Sequence, residues 1–261
     1  MRRLPAALAG GAVTLSVTTR LHRRPPTHPR WRRPNYRDRE VTLAAGPALA
    51  AGVGAAALLT GAPGAAAAAG LAAGLGLYDD LYGDSHARGL RGHLDALRQG
   101  RLTTGVVKLV GLAGTGLAVA TLDGARGVDA AAEAALVAGC ANLVNLLDLR
   151  PGRALKVTGL TGLALALGPG RSGRVATGLT GAALTVLPAD LGETAMLGDC
   201  GANAAGAALG WCLAAGLPRR ARAAAFAAVV ALTLASERVS FSAVIERTPW
   251  LRAVDGWGRR P

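Results

Sequence analysis

The stretch TAMLGDCGANAAGAALG, residues 194–210, holds one carboxylate, Asp199, at the start of a run of alanine and glycine that is otherwise uncharged. The same arrangement recurs at Asp79, Asp80 and Asp148, which stand at the ends of other apolar runs. An ionised side chain deep in a bilayer costs about 2.5–3.5 kcal/mol on insertion scales, so such groups usually face a polar cavity and serve function. The pattern predicts membrane helices with functional carboxylates at their ends.

Composition favours a helical membrane protein. Of the 261 residues, 51% are hydrophobic and 17% are charged, and the apolar residues fall in long runs without a Gly-X-Y period. Runs of about 17–25 apolar residues can span a bilayer. We therefore expect an all-α, polytopic helical membrane bundle of about nine transmembrane helices, in which glycine and alanine allow close packing. The predicted spans are 4–19, 41–61, 64–78, 103–121, 128–147, 154–167, 172–187, 201–217 and 221–236.

The charge distribution predicts the orientation of these spans. The net charge is +13, and most of the 29 Lys and Arg residues lie on one side of the bundle if the N-terminus is outside. The positive-inside rule makes that side cytoplasmic and explains the basic charge without nucleic acid as a partner. Residues 1–19 also resemble a signal peptide, but no small-residue cleavage site follows, so we expect a retained span. The basic loop 88–101 is suited to anionic headgroups or a diphosphate.

The predicted topology brings the acidic residues to the cytoplasmic face. Asp79 and Asp80 end the third span, Asp148 ends the fifth, and Asp199 precedes the eighth. Converging carboxylates bind a hard divalent cation such as Mg²⁺ or relay protons. The ordinary alternative is a set of helix ends that contact water and arginines. For the group of four, the sequence favours function.

Other polar residues lie near these carboxylates. Asn142, Asn145 and Asp148 step by three, so consecutive members are neighbours on a helix surface. Interhelical hydrogen bonding by asparagine is the alternative. Lys108, within the first turns of the fourth span, suits a phosphate as a point charge, or it snorkels to the interface. Cys140, Cys200 and Cys212 show neither metal-ligand nor disulfide spacing.

The C-terminal segment differs from the rest of the chain. We expect a transmembrane domain over residues 1–240 and a cytoplasmic or interfacial tail over 241–261. Trp250 and Trp257 stand among arginines in the tail, which favours an interfacial amphipathic helix over a substrate-recognition loop.

Four segments resemble the polyprenyl-phosphate N-acetylhexosamine-1-phosphate transferases, the family of the phospho-MurNAc-pentapeptide translocase and the GlcNAc-1-phosphate transferases. The resemblance covers residues 30–215, and together the four motifs are fairly specific. The segments are RRPNYRDREVTLAAGPALA (32–50), GLYDDLYGD (76–84), NLVNLLDLRPG (142–152) and MLGDCGANAAGAALG (196–210).

The resemblance implies a Mg²⁺-dependent enzyme of the plasma membrane with its site on the cytoplasmic face. A polyprenyl phosphate would attack the β-phosphorus of a UDP-sugar and release UMP, in cell-envelope synthesis. Asp79, Asp80 and Lys108 match catalytic positions of the family, and Asp199, assisted by Asp80, matches its magnesium site. The implied substrate-binding residues are Asn35, Asn142, Asn145 and Asp148.

The sequence also departs from the family. Pro151 replaces the second aspartate of the asparagine motif, Ala202 replaces a serine after Asp199, and residues 236–261 contain no histidine. These changes support an alternative, a catalytically silent relative that binds lipid-linked precursor or scaffolds envelope enzymes. A transporter that couples protons or cations is a third hypothesis. Which sugar is carried and whether the protein forms a homodimer stay open.

Overall fold

The structure, a computed structural model, describes residues 3–83, 98–100 and 103–260 and is nearly all-α. The expected loop 88–101 lies largely outside the described residues. All nine predicted segments are helical within the described part of the chain, as alanine- and leucine-rich runs favour. Their helices are α1 (Arg3–Arg23), α2 (Ala45–Leu59), α3 (Pro63–Tyr82), α4 (Thr104–Leu122), α5 (Gly127–Leu147), α6 (Arg153–Ala166), α7 (Gly170–Leu191), α8 (Gly198–Gly216) and α9 (Arg219–Ser236).

Helix α8 is the centre of the bundle. Nearly all of its residues from Gly198 to Ala214 are buried, and α2, α3, α5, α6 and α7 pack around it. Glycine and alanine make this packing possible, because α8 meets its neighbours backbone to backbone. A Cβ atom at Gly206 or Gly210 would clash with the backbone of α5 at Cys140 or Leu136. Residues 198–210 of the stretch TAMLGDCGANAAGAALG therefore belong to the core helix of the fold.

Two features differ from the expected all-α chain. Residues Arg32–Pro34 (β1) and Glu40–Thr42 (β2) pair as an antiparallel hairpin, so α2 begins four residues later than the predicted span. The tail is not one amphipathic helix. It forms α10 (Phe241–Arg247) and α11 (Pro249–Gly256), and Pro249 explains the break because it has no backbone N–H and cannot continue α10.

Membrane-spanning character is present in part. Among the described residues, α4 and α5 are long and apolar enough to cross a membrane, and α9 with α10 adds a third span if this pair, bent by 93°, is counted as one. The other helices are short, like α2, or are diluted by alanine, glycine and arginine. The protein thus has two or three apolar helices able to span a bilayer, and the number nine stays a prediction.

Candidate functional site

A lysine and two aspartates from three helices meet at one end of the bundle. Lys108 Nζ lies 2.5 Å from Asp199 Oδ2 and 2.7 Å from Asp79 Oδ2. The side chain of Asp79 also lies within hydrogen-bonding distance of Asp199 and of Thr104. The side chains of Lys108, Asp79 and Asp199 keep 15%, 15% and 26% of their surface exposed. A partly buried, charge-assisted cluster of this kind is open to a polar ligand.

Helix ends and one close approach build this cluster. Asp79 lies in the last turn of α3, Asp199 in the first turn of α8, and Lys108 in the first turns of α4. Gly76 lets α3 touch α8, since a Cβ at Gly76 would clash with the carbonyl oxygen of Asp199. Thr103 begins α4 by accepting a hydrogen bond from the N–H of Val106 at 3.3 Å.

Asp80 faces away from the lysine and binds the start of α8. Its Oδ1 accepts from the Asp199 N–H at 3.0 Å, and its Oδ2 accepts from the Cys200 N–H at 2.9 Å. Arg33 donates to the carbonyl oxygen of Asp80. The first N–H groups of a helix have no partner within it and attract anions. Asp80 supplies such partners from another helix.

Two further carboxylates complete the cap of α8. The Gly198 N–H donates to Asp148, and the Leu197 N–H donates to Asp190. Asp190 Oδ2 also accepts from the Gly152 N–H at 2.6 Å. Asp80, Asp148 and Asp190 therefore accept the hydrogen bonds of the backbone N–H groups from residue 197 to residue 200. Gly198 is required at this point because its φ is +62°.

Burial beside other carboxylates changes the proton affinity of Asp148. Burial raises the pKa of Asp148 well above its ordinary value, and the charges of Asp190, Asp199 and Asp80 raise it further. The hydrogen bond from Gly198 lowers it in part. Asp148 therefore keeps its proton to a higher pH than an ordinary aspartate.

A cavity of about 370 Å³ is lined in part by Asp148. Asn35 forms one wall, where its Nδ2 donates to Glu193 Oε2 at 2.6 Å and its Oδ1 accepts from the N–H groups of Arg37 and Arg39. The Arg150 guanidinium lies 4.9 Å from the ring centre of Tyr36. The lining residues are Pro34, Asn35, Tyr36, Val41, Asp148, Leu149, Arg150, Pro151, Asp190, Glu193, Ala195 and Met196. The lining thus places an aromatic ring and an arginine beside three carboxylates, Asp148, Asp190 and Glu193.

The structure brings some predicted site residues together and separates others. Asp79, Lys108 and Asp199 form the cluster, and Asp80 and Asp148 hold the helix between the cluster and the cavity. Asn142 and Asn145 are partly buried on α5, and neither is among the lining residues of the cavity. The other lysine, Lys156, lies apart and donates to the carbonyl oxygens of Val254 and Asp255.

Sequence reasoning missed several residues at this end. Asp190 and Glu193 are not among the site residues predicted from the sequence, although both stand in the short segment before the start of α8. Asn203, one turn after Asp199, is fully buried, and neither atom of its amide has a hydrogen-bond partner. No spacing pattern marks Asn203 in the sequence.

The donor set suits a cation only in part. Within the described ranges, no three His, Cys, Asp or Glu side chains are grouped to hold a metal ion. Asp199 and Asp79 offer carboxylate oxygens that now face an ammonium, so they fit a hard cation with water and phosphate as further ligands. Asp80 fits less well, because both of its oxygens already accept amide hydrogens.

No protein-family model and no curated protein matches this chain.

Proposed function

We propose that this protein is an integral membrane transferase that moves a sugar 1-phosphate from a UDP-sugar to polyprenyl phosphate. The sugar is an N-acetylhexosamine, the nine helical segments embed the chain in the plasma membrane, and the site faces the cytoplasm. In the reaction, an oxygen of the lipid phosphate bonds to the β-phosphorus, the bond to the α-phosphate breaks, and UMP leaves with the electron pair. The proposal includes Mg²⁺.

One observation carries the proposal: Lys108, Asp79 and Asp199 meet at hydrogen-bonding distances although they lie far apart in the chain. Phosphoryl transfer depends mostly on positioning and on neutralisation of charge. A cluster of one ammonium and two carboxylates at a helix N-terminus can both position a phosphate and neutralise charge. The resemblance of the motifs in the sequence supports the same reading.

Each residue of the cluster has a task in the proposed reaction. The Lys108 ammonium binds phosphate oxygens as a compact point charge. Asp79 orients the attacking lipid phosphate, which needs little deprotonation since the second pKa of a phosphate monoester is about 6. Asp199 and Asp79 would hold Mg²⁺, which supplies neutralisation of the diphosphate charge when bound. Asp80 keeps Asp199 in position through the two amide hydrogen bonds.

The cavity supports a site for the nucleotide part of the donor. Asp148 adjoins both the cavity and the start of α8, so a ligand in the cavity reaches toward the cluster. Tyr36 offers a face for a base, and Arg150 offers charge for a phosphate. Asn35 holds its wall rigid through its bonds to Glu193 and the 35–39 turn.

The reaction is tested with the full-length protein in lipid nanodiscs. It is given Mg²⁺, undecaprenyl phosphate and a panel of UDP-N-acetylhexosamines, and UMP release is measured. Asp199→Asn and Asp79→Asn are expected to abolish release. Asp129→Asn is the matched control, because Asp129 pairs with Arg222 at the opposite ends of the helices. UMP release that survives in Asp199→Asn would contradict the proposal.

One observation favours the silent-relative alternative. Lys108 pairs with both Asp79 and Asp199, so each of these carboxylates has a cationic partner without a metal, and Pro151 stands where the family has a second aspartate. If the protein is a silent relative, no UDP-sugar gives UMP, but polyprenyl phosphate binds saturably to the wild-type protein and not to Lys108→Met. That pair of results would replace catalysis by lipid binding at the same cluster.

A further inference from the structure

Helix α11 has an exposed apolar face. Trp250 and Val254 on α11 and Trp257, the residue that follows the helix, recur at the spacing of one helical face and are 67%, 50% and 76% exposed. Arg252 lies away from this face and is also exposed. The remaining side carries Asp255, which is docked on the bundle through Arg153. An apolar face with two exposed tryptophans and a basic side chain on another face are typical of a helix at a membrane interface.

The surface next to α11 is apolar as well. Helix α6 exposes a row of large apolar side chains at helical spacing, and a row of this kind faces lipid in a membrane bundle. The row is Val157, Leu160, Leu163 and Leu167. Val157, the first residue of this row, follows Lys156. The Nζ of Lys156 donates hydrogen bonds to the carbonyl oxygens of Val254 and Asp255 at 3.1 Å and 2.7 Å. The tryptophan face therefore adjoins the cytoplasmic end of the row on α6.

We propose that α11 lies in the headgroup layer of the cytoplasmic leaflet, with Trp250, Val254 and Trp257 in the lipid and Arg252 toward anionic headgroups, and that this contact braces the cavity. The partner is the bilayer itself. The proposal rests on the membrane embedding given under the proposed function and is independent of the transfer reaction. It makes the tail a positioning element.

The tail bonds to the cavity wall and to a residue next to it. Arg259 Nε donates to the carbonyl oxygen of Pro151, a lining residue, at 2.8 Å. Arg37, which follows the lining residue Tyr36, donates to the carbonyl oxygen of Arg260 at 3.3 Å. Asp255 links these contacts to α11, because its Oδ1 also lies 2.7 Å from Arg259. A membrane contact that fixes α11 therefore fixes the loop from Asp148 to Gly152.

The lipid contact is tested by tryptophan fluorescence of the full-length protein in nanodiscs. The emission of the tail is the difference between the wild type and Trp250→Phe/Trp257→Phe, so Trp31 and Trp211 cancel. Brominated lipids are expected to quench the tail emission, because the apolar face of an interfacial helix lies at the boundary of headgroups and acyl chains, and aqueous iodide is expected to leave the emission unchanged. Quenching by iodide, or by neither agent, would overturn the lipid contact in favour of water or of a second protein surface.

The brace is tested by hydrogen exchange of the 148–153 amides in the same nanodiscs. Trp250→Ser/Trp257→Ser removes the apolar face and is expected to speed their exchange, whereas Trp250→Phe/Trp257→Phe keeps the face and should not. Equal exchange in both variants would overturn the brace. Neither readout uses sugar transfer, so a failed transfer assay and a failed tail assay are distinguishable.

Discussion

The ammonium of Lys108 lies 2.5 Å from the carboxylate of Asp199, although 91 positions separate the two residues in the chain. The contact joins the first turns of α4 and α8, and Asp79 at the end of α3 completes it. Three helix ends therefore meet at the ammonium of Lys108. Because each partner is mostly buried, the charges stabilise the bundle end only as a set.

Replacing Lys108 by methionine is expected to destabilise the protein by about 3 kcal/mol, since removal of one partner leaves buried charge uncompensated. The second change Asp79→Asn in the same chain should restore part of the loss. The measurement is thermal unfolding in a double-mutant cycle of Lys108→Met with Asp79→Asn. Lys156→Met is the control at the other lysine, and strict additivity of the two substitutions would show that Lys108 and Asp79 do not interact.

Removing the carboxylate of Asp80 is expected to loosen the start of α8. Asp80→Ala leaves the N–H groups of Asp199 and Cys200 without their partner, and loss of a helix cap costs about 1–2 kcal/mol. Asp80→Asn keeps one carbonyl acceptor and should have a smaller effect. Hydrogen exchange of the 197–202 amides is expected to be slowest in the wild type, faster in Asp80→Asn and fastest in Asp80→Ala. Unchanged exchange in Asp80→Ala would mean that other groups cap this helix.

A methyl group at Gly76 is expected to push α3 away from α8. The Cβ of Gly76→Ala would meet the carbonyl of Asp199, which is backbone and cannot rotate away. Overpacking of this kind costs about 1–3 kcal/mol and should also lower transfer activity by moving Asp79. Gly74→Ala is the matched control, because a Cβ there meets no atom within 4 Å.

Gly76→Ala and Gly74→Ala are compared by unfolding temperature and by UMP release. Gly74→Ala should be neutral or slightly stabilising, since alanine is the better helix former. If the two variants behave alike, the close approach of α3 to α8 is not what positions the site.

Much of this fold could be predicted from the sequence. The nine apolar segments are helices because an α-helix pairs the backbone N–H and C=O groups of an apolar segment within the segment itself. The approach of Asp79, Lys108 and Asp199 followed from motif resemblance and from alternating span directions. The hairpin at residues 32–42 could not be predicted, since its strands are three residues each and hold no alternating pattern.

The capping roles of the aspartates also could not be predicted. Asp80 and Asp148 belong to the charge cluster predicted from the sequence, but in the structure they, like Asp190, accept hydrogen bonds from backbone N–H groups near the start of α8. Such partners depend on tertiary contacts between distant segments and leave no spacing signal. Adjacent aspartates thus take different tasks, because Asp79 and Asp80 point to different sides of one helix end.

The docking of the tail is expected to depend on pH through Asp255. Burial acts to raise the pKa of Asp255, but hydrogen bonds from Arg153 and Arg259 outweigh it and hold the pKa below its ordinary value. A carboxylate with a lower pKa in the folded state than in the unfolded state stabilises at any pH above the unfolded value, about 3.9. That contribution is lost as the pH falls through the folded value.

The tail should therefore stay docked at neutral pH and begin to separate from the bundle as the pH falls below about 3.9 toward the lower folded value. Spin labels on cysteines introduced at Leu149 and Ala253 report the separation, since Cys140, Cys200 and Cys212 are buried. Asp255→Asn should give the separated distance at every pH. Glu246→Gln is the control, because Glu246 is exposed and lies 3.6 Å from Arg150. A distance in Asp255→Asn that still changes with pH would assign the effect to another carboxylate.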